Sequence, residues 1–318
     1  MSEAGPSMQE AQRPYRAVDW LTWGYLALVA LLVLLFHDGR VEHWQLHVAA
    51  HAAAILAVYG LIRLHERWGG PVLDFLRAGY PIIAYTFLYE ETHALMYMFV
   101  PAHLDAHFIA VDQALFGCQP SRVLMERLPY WWVSEPRVFG YFCYYLMVAG
   151  VALWLYFGAR ARYWRFVTVV SFVFYVCYLI FIIVPVLGPY DPLVYDAKVG
   201  PEALIGRQVV PPSVAAGPFF NVMAGVYKTA EPRGGGAFPS SHIAVAIATL
   251  CFTWPWLRRI RWVHLALVVL LAVATVYGGY HYVVDAAAGV AAAAILIPIG
   301  GWFYQRFEHL GAPATALP

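Results

Sequence analysis

Long apolar segments recur along almost the whole chain, separated by shorter polar stretches. Eight of these segments approach the roughly 20 residues that a helix needs to cross the apolar part of a bilayer. They lie at about residues 20–36, 45–64, 79–101, 137–157, 163–186, 238–257, 262–281 and 283–304. The pattern therefore predicts an all-α fold, a polytopic membrane helix bundle with about eight transmembrane helices.

Composition agrees with a membrane environment. The 318 residues are 62% hydrophobic and 12% charged, whereas soluble domains carry about 25% charged residues. The formal net charge is only +1, so the charge balance gives no sign of a nucleic-acid partner, and we expect none.

The spacing of the apolar segments divides the chain into four parts. We expect a polar N-terminus at residues 1–19, a transmembrane pair at 20–64, a six-helix working unit at 79–304 and a tail at 305–318. Within the working unit, residues 105–128 alternate apolar and polar side chains at helical spacing, which predicts one or two amphipathic helices on the membrane surface. They either border a lipid entrance or have a structural role.

Arginine placement predicts the orientation, because short cytoplasmic loops are enriched in Arg and Lys. One side of the predicted bundle carries Arg13, Arg16, Arg63, Arg67, Arg77, Arg160, Arg162, Arg165, Arg258, Arg259, Arg261 and Arg306. We expect this side to be cytoplasmic, with both termini inside, in a bacterial cell membrane. On this topology residues 184–190, 234–242 and 281–285 all reach the outer face, and we expect a site there.

Two histidines and an aspartate lie at the ends of these segments, although membrane interiors disfavour ionisable groups. His281 and Asp285 are four residues apart, so on a helix they stack one turn above the other. A carboxylate beside an imidazole fixes its tautomer and stabilises positive charge on it, which suits a general base or a nucleophile. The alternative is a local helix-cap interaction.

His242 follows the run GGGAFPSS at residues 234–241. Pro239 is favoured in the first turn of a helix, and the free amides of such a turn bind anions. Ser240 and Ser241 add hydroxyl donors, so we expect a phosphate to bind between His242 and His281. The alternative is a structural role, in which His242 is hydrogen-bonded to a carbonyl at a helix end.

Both motifs resemble those of a known family. FPSSH at residues 238–242 and HYVVD at 281–285 are similar to the second and third signature motifs of the type 2 phosphatidic acid phosphatase superfamily. The closer likeness is to its inositol phosphorylceramide synthase and sphingomyelin synthase branch, to which DQALFG at 112–117 and the following Pro120-Ser121 also bear a resemblance. The likeness covers roughly residues 80–304.

The resemblance implies a metal-independent lipid phosphotransferase or phosphatase that needs no cofactor. His281 would attack the lipid phosphate to give a phosphohistidine, assisted by Asp285. His242 would protonate the departing alcohol oxygen and then activate the acceptor. The implied partners are a membrane lipid and a small polyol, a lipid alcohol or water.

The sequence departs from the motifs of the phosphatases at two places, and it therefore does not identify the cationic residues that would bind the phosphate. A Ser-Arg pair that precedes their third-motif histidine corresponds here to Ala274 and Thr275. Their first motif has Lys and Arg-Pro where this chain has Gly188 and Pro189 followed by Tyr190. Both differences favour the transferase branch over the phosphatases. The candidate substrate contacts are therefore Tyr190, Arg207, Lys228 and Arg233, although loop charges such as the last two are often simply solvated.

Further polar residues leave alternatives open. Glu90, Glu91 and His93 lie within the third apolar segment, where they either bind acceptor hydroxyls or pair within the bundle. Two histidine pairs have the four-residue spacing of metal-binding helix faces, namely His47 with His51 and His103 with His107. These pairs raise the alternative hypothesis of a membrane di-iron enzyme. No two histidines are adjacent in the sequence, which argues against that hypothesis, and we expect no metal. A non-catalytic lipid carrier is a third class.

Overall fold

The computed structural model describes residues 14–189, 211–229 and 236–308. Within these ranges every regular element is a helix. The helices are α1 (Ala17–Phe36), α2 (Trp44–Trp68), α3 (Pro71–Leu95), α4 (Asp105–Phe116), α5 (Pro120–Arg127), α6 (Trp131–Gly158), α7 (Arg160–Ile183), α8 (Pro212–Ala215), α9 (Pro218–Thr229), α10 (Ser241–Trp256), α11 (Arg261–Tyr277) and α12 (Val283–Phe307).

Each predicted apolar segment falls on a helix, so the all-α prediction is confirmed. Five helices of the described part, α1, α2, α6, α7 and α12, are long and apolar enough to cross a membrane, as in a multi-pass membrane protein. The number eight stays a prediction. With 25 residues, α3 is as long as α2 but contains Asp74, Arg77, Glu90 and Glu91, and α10 and α11 have only 16 and 17 residues.

Local chemistry explains why α10 and α11 are shorter than the apolar runs. Ser240 caps α10, because its Oγ accepts a hydrogen bond from the amide of Ile243 at 3.4 Å. At the end of α11 the backbone turns through Gly279, whose φ of +75° favours glycine. The amides of Tyr280 and His281 then both bond back to the carbonyl of Thr275, at 2.9 and 3.0 Å. These bonds satisfy the carbonyl of Thr275 in the last turn of the helix.

The core of the bundle surrounds α7, whose side chains are buried along most of its length. Helices α1, α3, α6, α10 and α12 pack against it. Because α1 contributes Val18, Leu26, Val29 and Val33 to this core, it is an integral part of the bundle. In α2, by contrast, only His51 and Ile62 are buried. Close contact between α10 and α12 requires Gly289, where a Cβ atom would lie 2.6 Å from the carbonyl oxygen of Ser240.

Buried charges join the helices at the end of the bundle where α1 and α7 begin. Asp19, which is fully buried, accepts hydrogen bonds from Arg77 and from Tyr80. Glu308 accepts from Arg16 and from the amide of Ala17, at 3.0 and 2.9 Å. Because removing one partner of such a pair leaves an uncompensated buried charge, these contacts fix α1 against α3 and α12.

The opposite end, where α6, α10 and α12 begin and α3, α7 and α11 end, is called the site end below. Here residues 105–128, predicted to form one or two amphipathic helices on the membrane surface, form the two helices α4 and α5, and their place at the membrane surface stays a prediction. Their arrangement was not foreseen, because the buried residues of α4 include the carboxylates Asp105 and Asp112, whereas Val111, Leu115 and Phe116 are exposed. The helices α8 and α9 in the connection between α7 and α10 were not predicted either.

Candidate active site

The turn before α12 and the start of α10 bring both candidate histidines together at the site end. His242 is the second residue of α10, and His281 lies in the turn 278–282 between α11 and α12. Their ring centroids are 6.1 Å apart, with an angle of 64° between the planes. At this separation one phosphate group can contact both imidazoles.

Asp285 lies beside His281 but is not hydrogen-bonded to it. Their Nδ1 and Oδ2 atoms are 3.7 Å apart, beyond the usual range for a hydrogen bond. Oδ2 instead accepts from the amide of Tyr282 at 2.9 Å. Within the described part of the chain, His281 Nδ1 and Asp285 Oδ1 are both buried without a hydrogen-bond partner. Since buried polar atoms are normally satisfied, a small rotation that joins the two side chains would satisfy both.

His281 is suited to act as a neutral imidazole. It is 3% exposed, and burial lowers its pKa from 6.5 to about 4, while a backbone hydrogen bond with Ala237 acts in the opposite direction. Because desolvation disfavours the charged form, the ring carries a free lone pair at neutral pH, as a nucleophile requires.

Two tyrosines of α6 contact His242, and a third tyrosine packs on one of them. The hydroxyl group of Tyr141 on α6 lies 3.2 Å from its Nε2 atom. Tyr144, one turn further along α6, has its ring centroid 4.7 Å from the imidazole. Tyr280 stacks on Tyr141 at 4.8 Å. These rings orient His242 and limit the access of water to it.

Backbone bonds connect the three stretches that the sequence placed at one face. The amide of Ala237 donates to the carbonyl of Val186 at 3.0 Å, and the amide of Ser240 donates to the carbonyl of Asp285 at 3.1 Å. The stretch after α7 therefore lies against the residues that precede α10, and these lie against the first turn of α12.

Carboxylates from other helices cap two of the helix N-termini at this end. Asp112 accepts from the amides of Val283 and Val284 at the start of α12, at 2.8 and 3.1 Å. Glu135 on α6 accepts from the amides of Phe219 and Phe220 at the start of α9, at 2.8 and 3.1 Å. The start of α10 has its own Ser240 as a cap. Because helix N-termini attract anions, these carboxylates occupy the position that a bound anion would take at the starts of α12 and α9.

Asp105 joins α4 to the same region. This fully buried carboxylate accepts from the amides of Leu187 and Gly188, each at 2.9 Å, and from the hydroxyl group of Tyr282 at 2.9 Å. His103 lies 3.2 Å away. Burial raises the pKa of the neighbouring Asp112, while its two amide donors lower it.

The remaining candidate substrate contacts are only partly described. Tyr190, Arg207 and Arg233 lie outside the described residues, and so does the side chain of Lys228 on α9. Ser240 and Ser241 are both buried at the start of α10. The hydroxyl oxygen of Ser240 accepts from the amide of Ile243, and its O–H group can still donate to a phosphate.

The two glutamates of α3 have different surroundings. Glu91 Oε1 lies 2.8 Å from Nδ1 of His47 and Oε2 lies 3.3 Å from Nε2 of His51, so Glu91 pairs α3 with α2. The side chain of Glu90 is 57% exposed and lies 3.6 Å from His93. Only Glu90 is therefore open to a ligand. Among the described residues, no group of three or more His, Cys, Asp or Glu could hold a metal ion.

A family model of the PAP2 superfamily matches residues 130–299, more than half of the chain. The chain belongs to this superfamily. Its members are generally membrane lipid phosphatases and phosphotransferases, so the protein is an enzyme of that broad class. No curated protein and no solved structure matches the chain.

The matched region runs from the start of α6 into α12 and contains both histidine motifs. It is shorter than the region of likeness expected from the sequence, since α3, α4 and α5 lie outside it. The closer resemblance to inositol phosphorylceramide synthase stays a prediction.

Sequence reasoning missed Asp105, Asp112, Glu135 and Tyr141. The first two lie in a stretch that was interpreted as one or two amphipathic surface helices, and Glu135 and Tyr141 lie at the start of an apolar helix rich in aromatic residues. The one available signal was the resemblance of residues 112–117 to a segment of the transferase branch, which assigned no role to Asp112.

Proposed function

We propose that the protein is an integral membrane lipid phosphotransferase that moves a phosphate or phospho-headgroup from a lipid to an alcohol acceptor through a phosphohistidine. The observation that carries this proposal is the 6.1 Å separation between the rings of His242 and His281 beside the start of α10. A nucleophile and an acid/base group can then act on opposite sides of the same transfer.

In the first step His281, with its ring proton on Nδ1, attacks phosphorus through Nε2, and the bond between phosphorus and the lipid oxygen breaks. His242, which becomes protonated once an anionic phosphate lies beside it, gives its proton to the departing oxygen. Asp285 holds Nδ1 of His281 and stabilises the positive charge that develops on the ring. The 3.7 Å between Asp285 and His281 closes to a hydrogen bond as this charge forms.

In the second step His242 takes the proton of the acceptor hydroxyl, whose oxygen attacks phosphorus. The phosphorus–nitrogen bond breaks and neutral His281 is restored. The amides at the start of α10, together with Ser240 and Ser241, face the charge on the transferred group. Lys228, Arg233 and Tyr190 remain the proposed further contacts, and exposed Glu90 is a proposed contact for acceptor hydroxyls.

Two observations favour an alcohol over water as the acceptor. His281 is almost inaccessible to solvent, and the rings of Tyr141 and Tyr144 pack against His242. Exclusion of water protects a reactive intermediate from hydrolysis. Together with Ala274 and Thr275 in place of the Ser-Arg pair, this supports an activity like that of inositol phosphorylceramide synthase, on the outer face of the membrane. The second candidate is hydrolysis of a prenyl or glycerolipid phosphate at the same site.

The test is product analysis by mass spectrometry with a labelled phospholipid and candidate polyol or lipid alcohol acceptors. We expect a phosphorylated acceptor from the wild type, and a loss of at least about a thousandfold in His281→Ala, Asp285→Asn and His242→Ala. His107→Ala, at an exposed histidine of α4, is the matched control and should remain active.

Activity should survive a divalent-metal chelator. Free phosphate as the only product would identify a hydrolase. Loss of activity with chelator, while the three residues prove dispensable, would refute a histidine-based mechanism.

A further inference from the structure

The helix α4 contacts all three of the stretches that form the candidate site. Phe108 lies with its ring centroid 5.0 Å from that of Phe238, just before α10, and 6.0 Å from that of Tyr282, just before α12. The amide of Leu104, at the start of α4, donates to the carbonyl of Pro185 after α7, at 2.8 Å. A helix outside the region matched by the family model therefore forms one wall of the candidate site.

The carboxylates of α4 make the strongest of these contacts. Asp112 holds the amides of Val283 and Val284, which follow His281 by two and three residues. Asp105 holds the hydroxyl group of Tyr282, the residue directly after His281, and also the amides of Leu187 and Gly188. Hydrogen bonds from neutral donors to a carboxylate are stronger than those between neutral groups.

His281 is thus fixed on both sides. Its own amide bonds to the carbonyl of Thr275 at the end of α11, and the residues after it bond to α4. Without the bonds to α4, the start of α12 would be held by Asp285, whose side chain accepts from the amide of Tyr282 and whose carbonyl accepts from the amide of Ser240. Asp285 would then have to serve both as the cap of this helix and as the partner of His281.

We propose that Asp105 and Asp112 are positioning residues that set the distance between His281 and Asp285 and the direction from which His281 meets the phosphate. This inference rests on the proposed function. A misplacement of about 1 Å at a reacting group can lower a rate by about a hundredfold, so the carboxylates should act on the chemical step without touching the substrate.

Asp112 also accepts the hydrogen bonds of the two amides that would otherwise attract an anion to the start of α12. Val283 and Val284 lie beside the nucleophile, and a phosphate bound to their amides would compete with one at the start of α10. By filling this position, Asp112 directs the phosphate to the side of His281 that faces His242.

The experiment uses the full chain in lipid nanodiscs and the variants Asp112→Asn and Asp105→Asn. Asparagine has nearly the same size as aspartate. Its NH₂ group cannot accept the hydrogen bond of an amide donor, and the negative charge of the carboxylate is lost. Glu126→Gln on the neighbouring α5 is the matched control, because Glu126 is an exposed acidic residue paired with Arg122 at 2.7 Å.

Three quantities are measured for each protein: kcat for the labelled phospholipid, its KM, and hydrogen–deuterium exchange of the peptide that contains residues 281–286. We expect kcat to fall ten- to a hundredfold in both variants, with KM changed less than threefold, and exchange of the Val283 and Val284 amides to rise in Asp112→Asn. Formate, which can fill the space left in Asp112→Ala, should restore part of kcat in that variant.

The outcomes separate this inference from the proposed function. If the wild type transfers phosphate and both asparagine variants match Glu126→Gln in kcat, the inference is overturned and the function stands. If kcat falls only in proportion to a loss of folded protein, without a change in exchange at residues 281–286, the inference is likewise overturned. If the wild type transfers no phosphate, the proposed function fails and the positioning role fails with it.

Discussion

The hydroxyl group of Tyr141 lies 3.2 Å from Nε2 of His242, and the two rings stack at 5.2 Å. This contact fixes which ring nitrogen of His242 is directed towards α6 and which is left for the substrate. It places a residue of the apolar helix α6 next to the proposed acid/base group.

From this contact we expect Tyr141→Phe to lower kcat about five- to tenfold, the effect of losing roughly one hydrogen bond of about 1 kcal/mol, while KM for the donor lipid stays within a factor of three. The ring remains, so packing against Tyr280 is retained. Tyr145→Phe, at a half-exposed tyrosine of the same helix, is the control. Equal kcat values for the two variants would contradict an orienting role for Tyr141.

If His281 is the nucleophile and His242 the acid/base group, the phosphohistidine intermediate should be trapped when His242 is removed. With a nitrophenyl phosphodiester as donor, the leaving group departs without a proton from His242. In His242→Ala the first step should therefore continue, while the second step lacks its general base. We expect acid-labile label on His281, found by mass spectrometry of the peptide that contains it, to accumulate in His242→Ala and to be absent from His281→Ala. Label on any other residue would show that the nucleophile has been assigned wrongly.

The low pKa of His281 predicts an acid-tolerant first step. Its folded-state pKa of about 4 lies below the ordinary value of 6.5, so the ring stays neutral as the pH falls from 8 to 5 and becomes protonated only near pH 4. Formation of the phosphohistidine in His242→Ala, measured with the nitrophenyl phosphodiester between pH 3.5 and 8, should be constant above pH 5 and fall below it. A midpoint near pH 6.5 would mean that burial does not govern this ring.

The amino-acid pattern was sufficient to predict the helices but not all of their ends. Apolar runs of about 20 residues depend on composition alone, which is why every predicted segment falls on a helix. The starts and ends depend on individual bonds, such as the cap that Ser240 gives to α10 and the turn at Gly279 that ends α11. Such bonds shorten α10 and α11 relative to the apolar runs, and periodicity does not contain them.

The histidine motifs could be found because their chemistry is local, with His281 and Asp285 only four residues apart. The contribution of α4 is not local. Asp112 is 171 residues from Val283, and on its own helix it has the pattern of a polar surface residue. Its role depends on how α4 lies across the end of the bundle. Nothing in the spacing of polar residues within 105–128 indicates that the carboxylates face inward.

The two glutamates of α3 allow a last test, because the sequence left open whether they bind acceptor or pair within the bundle. Glu91 lies between His47 and His51 and is largely buried, so Glu91→Gln should weaken the contact between α2 and α3 and lower the thermal unfolding temperature of the protein. Losing a hydrogen bond to a charged group costs about 1.5–3 kcal/mol. The KM for the acceptor should not change in this variant.

For Glu90 we expect the opposite result, a change in acceptor binding without a change in stability. Its side chain is exposed and lies 3.6 Å from His93. Glu90→Gln should leave the unfolding temperature unchanged and raise the KM for a polyol acceptor several-fold, because a carboxylate accepts stronger hydrogen bonds from hydroxyl groups than an amide does. The two isosteric variants serve as controls for each other. A higher acceptor KM in Glu91→Gln, or a lower unfolding temperature in Glu90→Gln, would reverse these assignments and require an acceptor site that extends towards α2.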